Sequence, residues 1–160
     1  ERESSTDLQK VQNEFFLAMQ PYAYGFDDNS LESVLAQKLI EKKLTIATAE
    51  SCTGGLIGKR LTDVAGSSKY FLGSITAYNN DLKMNLLGVS ENTLQVHGAV
   101  SEKVSLEMAE GIRYNTHADI GISTTGISGP DGGNDEKPVG FLTPYCFLCP
   151  PTEIPKSLHI

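Results

Sequence analysis

The chain has 160 residues, 39% of them hydrophobic and 21% charged, and its formal net charge is −7. This length and composition predict a globular protein with a sizeable core. The acidic balance argues against nucleic acid as a partner, because phosphate-backbone binding needs clustered lysine and arginine. No apolar run approaches the ~20 residues that a membrane-spanning helix needs, so a membrane is not an expected partner either.

The chain contains three cysteines, too few for a disulfide scaffold, which favours a reducing, cytoplasmic location. Because its first residue is Glu1 and not Met, we expect a processed form or a piece of a longer protein. Residues 1–30 are predicted to form an N-terminal helix over 1–20, capped by Ser5 or Thr6, and a linker over 21–30. The apolar face of that helix would comprise Leu8, Val11, Phe15 and Met19.

Helical and strand-like segments alternate through residues 31–148, which predicts one α/β domain. The fold class expected is a three-layer α/β sandwich with a mostly parallel sheet. Residues 149–160 are proline-rich and predicted to be irregular. The predicted helices are 31–43 (capped by Ser30), 54–62, a short one from Asn80 or Asp81 to Gly88, a turn from Ser90 to Gly98, and 102–116 capped by Ser101; the predicted strands are 44–49, 70–78, 118–123 and one from about Val139.

The most informative stretch is T-I-A-T-A-E-S-C-T-G-G, residues 45–55, where an apolar strand ends in polar residues and two glycines. This order places Ser51 on a sharp strand-to-helix turn. A serine hydroxyl becomes a nucleophile when a base takes its proton. Thr53, Gly54 and Gly55 could offer backbone N–H groups to an oxyanion or a phosphate, although a tight turn alone also needs small residues. Glu50 could be a base or a ligand contact, and equally a carboxylate favoured at a helix start.

A second glycine-rich loop follows the third predicted strand, with Thr125, Gly126, Ser128 and Gly129 as candidate ligand contacts. In open α/β sheets the ligand crevice lies beyond the carboxyl ends of the strands, so Ser51 and Thr125 are expected to face one pocket.

A base for Ser51 could be a histidine, but His97, His117 and His159 occur in surface or structural contexts. Lys83 is the alternative, because burial can lower the pKa of a lysine, whereas spacing alone favours a solvated lysine on a short helix. Tyr78 could orient Lys83 or relay a proton, or could simply pack.

Metal binding is not predicted, and no cofactor is expected. Cys146 and Cys149 form a lone C-x-x-C, for which two small apolar residues in a strand is the simpler interpretation. The acidic loop residues lack an EF-hand pattern and are expected to be solvated; they are Asp131, Asp135 and Glu136.

Six motifs occur in one order across about Leu31 to Gly140. They are T-I-A-T-A-E-S-C-T-G-G, A-G-S-S-x-Y-F-L-G, A-Y-N-N-x-x-K-x-x-L-L-G-V, H-G-A-V-S-E, T-G-I-S-G-P-D-G-G and E-K-P-V-G. Together they resemble the C-terminal domain of the CinA (competence/damage-inducible) proteins. Residues 24–31 also resemble the linker that precedes this domain in longer members.

The resemblance implies an amidohydrolase that converts nicotinamide mononucleotide to nicotinate mononucleotide and ammonia in pyridine nucleotide salvage, without a metal. It implies that Ser51 is the nucleophile and Lys83 its base, with Tyr78 nearby and Thr125 contacting substrate or supporting the oxyanion. The partners implied are a small-molecule nucleotide and a second copy of the chain, as a homodimer or other homo-oligomer. The substrate-binding residues implied or considered are Glu50, Thr53, Gly54, Gly55, Ser101, Gly126, Ser128 and Gly129; for Ser101 a helix cap is a sufficient explanation.

The chain departs from the family pattern after P-V-G, where members continue with further strands and a long helix. Relative to the family it is expected to be C-terminally truncated. The alternative function is therefore a catalytically impaired domain that binds nucleotide or serves in assembly.

Overall fold

A computed structural model describes residues 2–19, 22–26 and 29–148 of the chain. It divides into two compact units, Glu1–Leu35 and Ala36–Ile160, and the division falls inside a helix. The predicted irregular tail, 149–160, lies outside the described residues.

The first unit contains helix α1 (Arg2–Ala18) and the first turn of helix α2 (Leu31–Lys42). The predicted cap of α1 is wrong, because the helix already begins at Arg2 and therefore includes Ser5 and Thr6. The predicted cap of α2 is confirmed: the Ser30 hydroxyl accepts a hydrogen bond from the Ser33 N–H at 3.1 Å.

The second unit is built on a four-stranded sheet of β1 (Ile46–Glu50), β2 (Phe71–Thr76), β3 (Ile120–Gly126) and β4 (Leu142–Leu148). The strand order is β2-β1-β3-β4. Strand β1 runs parallel to β2 and β3, whereas β4 is antiparallel to β3. The mixed α/β class with a mostly parallel sheet is therefore confirmed. The carboxyl ends of β1, β2 and β3 meet at one edge, since Glu50 is in register with Thr76 and Thr124.

Helices cover both faces of β1, because alternate residues of a strand point to opposite sides. Ala47 and Ala49 belong to the main apolar core together with Met108 and Ile112 of the long helix α6 (Glu102–Thr116). On the other face, the side chain of Glu50 binds backbone N–H groups at the start of helix α3 (Leu56–Thr62). The remaining helices of this unit are α3 (Leu56–Thr62), a short 3-10 helix (Ser67–Lys69), α4 (Asn80–Leu87), α5 (Glu91–His97) and α6 (Glu102–Thr116).

Strand boundaries differ from the prediction where pairing or side-chain bonds intervene. Thr45 lies outside β1, and both its N–H and its hydroxyl donate to Asp119 at 2.7 Å. Strand β3 continues to Gly126 because its last residues pair with β4. Pro144 is accommodated in β4 because that strand lies at the edge of the described sheet.

Candidate active site

A cavity of about 270 Å³ opens where the carboxyl ends of the parallel strands meet the second glycine-rich loop. It brings together residues from four separate parts of the sequence. Seven of the candidate residues named from the sequence line it: Ser51, Tyr78, Lys83, Thr125, Gly126, Ser128 and Gly129.

Ser51 is the first residue of the turn that follows β1, and only 7% of its surface is exposed. Its N–H donates to the Thr124 carbonyl at 3.0 Å, and its own carbonyl accepts from the Gly54 N–H at 3.1 Å. Gly54 and Gly55 have φ values of +61° and +100°, a region that favours glycine. The two glycines therefore let the chain reverse sharply while Ser51 stays fixed against β3.

Lys83 is the buried amine of this cavity, with 1% of its surface exposed. It lies on the first half of α4, and its Nζ donates to the backbone carbonyl of Tyr78 at 3.0 Å. Burial lowers the pKa of Lys83, and the electrostatic interaction with the nearby Cys52 sulfur offsets part of that effect. A lysine in this environment can release its proton more readily than a solvated one, which suits it to accept a proton from Ser51.

Tyr78 contributes in a way that the sequence did not suggest, because its backbone carbonyl, and not its phenol, contacts Lys83. Its side chain is 73% exposed at the rim of the cavity. Tyr78 lies two residues after the end of β2, and the next residue, Asn79, caps α4 by accepting from the Asp81 N–H at 2.7 Å. The predicted caps of α4, Asn80 or Asp81, are therefore displaced by one or two residues.

Thr125 is fully buried at the end of β3, and its hydroxyl donates to the Ala99 carbonyl at 2.8 Å. The hydroxyl proton is thereby committed, while the oxygen can still accept a hydrogen bond. Thr125 thus anchors the 99–100 segment, which also lines the cavity. Ser128, from the second loop, donates to the Cys52 carbonyl at 3.1 Å and so joins that loop to the Ser51 turn.

Five candidate residues do not line the cavity: Glu50, Thr53, Gly54, Gly55 and Ser101. The geometry favours their alternative, structural interpretations. Glu50 is completely buried and accepts N–H bonds from the start of α3, including that of Gly55 at 3.1 Å. Ser101 caps α6 by accepting from the Val104 N–H at 3.3 Å. The N–H groups expected to cradle an anion at Gly54 and Gly55 instead bind Ser51 and Glu50.

The cavity also contains residues that were not singled out for it. Cys52, Asn80 and Asp131 line it; Cys52 directly follows Ser51, and Asn80 lies two residues after Tyr78. Lys137 supports the wall from outside, since its Nζ donates to the Val100 carbonyl at 2.7 Å and the His97 carbonyl at 3.3 Å. Position in the E-K-P-V-G motif was the only signal that could have pointed to Lys137.

A larger cavity of about 490 Å³ lies between α4 and α6, lined by residues such as Glu107, Glu110 and Tyr114. None of the candidate site residues lines it. Ser51, the buried Lys83 and the second glycine-rich loop all lie at the smaller cavity, so that cavity is the candidate active site.

Within the residues that the structure describes, no group of three or more histidine, cysteine or acidic side chains could hold a metal ion. Cys146 is exposed on β4, and its C-x-x-C partner Cys149 lies outside the described residues. The described helices also include none that is long and apolar enough to cross a bilayer.

Fold and cavity together define an α/β domain with its ligand crevice at the carboxyl edge of a mostly parallel sheet. The family model described as "CinA C-terminal domain" matches residues 28–146. The chain belongs to the CinA C-terminal domain family.

Among curated proteins, a CinA-like protein of Chlorobaculum tepidum is 55% identical over 121 residues, which are 76% of this chain and 29% of that protein. The chain spans about a third of the length of the curated relatives it matches. The crystal structure of a competence/damage inducible protein from Agrobacterium tumefaciens is similar with a TM-score of 0.70 and 41% identity, covering 78% of this chain and 77% of that one. A CinA superfamily protein from Escherichia coli matches with a TM-score of 0.68 and 31% identity, covering 82% and 84% respectively.

Proposed function

We propose that the domain is a serine amidohydrolase that deamidates nicotinamide mononucleotide to nicotinate mononucleotide and ammonia. The observation that carries the proposal is the presence of Ser51 and the buried Lys83 in one cavity. A carboxamide is a poor electrophile, so its hydrolysis needs an activated nucleophile and a proton donor for the leaving nitrogen. A serine and a lysine of lowered pKa supply both.

In the proposed reaction the Ser51 Oγ attacks the carboxamide carbon while its proton passes to the neutral Lys83 Nζ. The carbon–nitrogen bond then breaks, and Lys83 returns the proton so that ammonia leaves. A water molecule attacks the resulting ester, giving the carboxylate product and restoring the Ser51 hydroxyl. The substrate amide nitrogen thus takes up the proton of Ser51, and water replaces that proton in the second half.

The second glycine-rich loop is the proposed binding site for the nucleotide phosphate. The Ser128 hydroxyl already donates to the Cys52 carbonyl, so backbone N–H groups of this loop are the proposed donors, and Gly129 and Gly132, at φ values of +82° and +93°, let the backbone curve around the cavity. The first loop is a weaker candidate, because the N–H groups at the start of α3 already bind Glu50. Asp131 adds a carboxylate to the same cavity. It is suited to a ribose hydroxyl or to the cationic pyridinium ring.

The test is to measure ammonia and nicotinate mononucleotide released from nicotinamide mononucleotide by the parent chain and by Ser51→Ala. We expect equal amounts of both products from the parent and a loss of about 10³-fold or more in the variant. Ser68→Ala, at an exposed serine of the 3-10 helix, is the matched control and should keep parental turnover.

A thermal-shift titration with the same nucleotide separates the remaining outcomes. Stabilisation of both the parent and Ser51→Ala is expected, since the serine hydroxyl is not needed for binding. Stabilisation without ammonia release would refute the amidase and favour a nucleotide-binding domain. Unimpaired turnover by Ser51→Ala would refute the serine mechanism.

A further inference from the structure

Glu50 has a charged side chain, and the burial of a charge inside a protein is normally unfavourable. None of its surface is exposed. A buried carboxylate is tolerated when hydrogen bonds replace the water it has lost. Glu50 accepts six, three on each oxygen, which is close to the full capacity of a carboxylate.

The six donors come from both sides of the Ser51 turn. Oε2 accepts from the Thr53 hydroxyl at 2.7 Å and from the N–H groups of Gly55 at 3.1 Å and Ile57 at 3.0 Å. Oε1 accepts from the Gly58 N–H at 2.7 Å. The remaining donors to Oε1 are the hydroxyls of Ser74 at 3.2 Å and Thr48 at 3.3 Å.

We call this set of six hydrogen bonds to Glu50 the clamp, because it joins the two ends of the turn. The carboxylate starts from the last residue of β1 and holds the first residues of α3, so the chain between them, Ser51 to Gly54, has both ends fixed. Ser74 extends the same cluster to β2. Thr53, which donates to Glu50, also contacts the Thr124 hydroxyl at 2.9 Å, which connects the cluster to β3.

The charge on Glu50 is retained in spite of its burial. Burial alone would raise the pKa of Glu50, but the hydrogen bonds from Thr53, Gly58, Ile57 and Ser74 outweigh it and lower the pKa below its usual value. An anion at the start of a helix is also favoured by the helix dipole.

We propose that Glu50 is the positioning residue of the active site: its buried carboxylate fixes the turn so that the Ser51 Oγ is held in line for attack. Glu50 does not line the cavity and has no described hydrogen bond to Lys83, so it acts through the turn. The inference rests on the proposed amidase function for its catalytic consequence. Its structural consequence, a turn that loosens without the carboxylate, stands separately.

Glu50→Gln is the sharpest test because it keeps the shape of the side chain. The amide NH₂ replaces one acceptor and, in either orientation, opposes at least one backbone N–H among Gly55, Ile57 and Gly58. We expect kcat to fall about tenfold or more while KM changes less than about threefold, because misorientation affects the attack more than ground-state binding. Glu102→Gln, the same change at an exposed helix start, should leave both constants unchanged.

A second readout does not depend on activity. Cys52 lies within the turn, so its alkylation by iodoacetamide reports how tightly the turn is held, while the exposed Cys146 provides an internal reference. Rates are compared on the high-pH plateau, where a change in thiol ionisation has no effect. We expect Cys52, relative to Cys146, to react several-fold faster in Glu50→Gln than in the parent and in Glu102→Gln.

The outcomes separate the two proposals. Unchanged Cys52 labelling in folded Glu50→Gln, or a kcat within twofold of the parent, overturns the positioning role. If the parent releases no ammonia, the amidase is refuted. If Cys52 is nevertheless labelled faster in Glu50→Gln than in the parent, the clamp is supported. If Glu50→Gln does not fold, Thr53→Val removes the shortest hydroxyl donor to Glu50, together with its contact to the Thr124 hydroxyl. Faster Cys52 labelling in that variant supports the clamp, and parental labelling overturns it.

Discussion

Gly111 lies where α6 contacts the end of α4. Replacing it by alanine tests whether the packing of α6 on α4 stabilises the domain and positions Lys83. A Cβ atom built at Gly111 would lie 1.8 Å from the Leu87 carbonyl oxygen and 2.6 Å from its carbonyl carbon. Ordinary van der Waals contact begins near 3.4 Å, so the backbone of α4 would have to retreat by about 1.6 Å.

Two opposing effects decide whether Gly111→Ala raises or lowers the free energy of unfolding. Alanine favours a helix interior over glycine by about 1 kcal/mol. Overpacking a well-packed core costs about 1–3 kcal/mol and sometimes more, and here the obstacle is backbone, which cannot rotate away. We therefore expect a net destabilisation of about 2 kcal/mol, which lowers the Tm of a domain of this size by roughly 8 °C.

The same displacement should affect the active site, because α4 carries Lys83 one helical turn before Leu87. A shift of about 1 Å in a catalytic group can reduce turnover by as much as a hundredfold. Thermal unfolding and ammonia release are measured together, with Glu110→Ala as the control on the exposed side of α6. A Gly111→Ala chain with parental Tm and parental turnover would refute the packing argument.

Three further changes probe single groups. Lys83→Met should lower kcat by about 10²-fold or more. The kcat/KM of the parent should rise with pH at a pKa below the usual ~10.4 of lysine, and the variant should lack this rise. The same pH profile in both chains would exclude Lys83 as the base. Lys137→Met removes the donor to the Val100 and His97 carbonyls and should raise KM several-fold with little effect on kcat, whereas Lys103→Met at an exposed position should not; equal KM values would contradict the support of the cavity wall. Glu50 contributes stability that is present above its unfolded pKa of about 4.3 and is lost as the pH falls through its lower folded pKa, so the stability gap between parent and Glu50→Gln should be wide at pH 7 and shrink below about pH 4; a gap independent of pH in chemical denaturation would contradict it.

The helices could be predicted closely because their ends are marked by local chemistry. Ser101 caps α6, whose bounds match the prediction, and Gly88 ends α4 in the left-handed conformation. Strand ends were predicted less well because they depend on partners far away in the sequence. Thr45 leaves β1 for a carboxylate 74 residues later, and β3 gains three residues by pairing with β4.

Prediction of the site residues likewise succeeded where a local rule applied and failed where the contact depends on distant residues. Ser51 and Thr125 could be expected in one pocket, because the rule for parallel sheets needs only strand order. The clamp on Glu50 could not be foreseen, since it includes Ser74, 24 residues further on, and requires the N–H groups of α3 to point at the carboxylate. For the same reason the sequence could not distinguish a ligand-binding carboxylate from a structural one.

Glu50 and Lys83 are two buried ionisable groups in one unit, and both have a lowered pKa, which keeps the charge of the carboxylate but disfavours the charge of the amine. Six donors surround the carboxylate, which keeps its charge, whereas a single described acceptor, the Tyr78 carbonyl, faces the amine, whose charge is disfavoured. A retained charge gives rigidity, because removing any donor leaves part of the buried anion uncompensated. A disfavoured charge gives reactivity, because the amine then loses its proton at a lower pH than a solvated lysine does. The amidase that we propose needs both properties: a serine that cannot move and a base that is ready to take its proton.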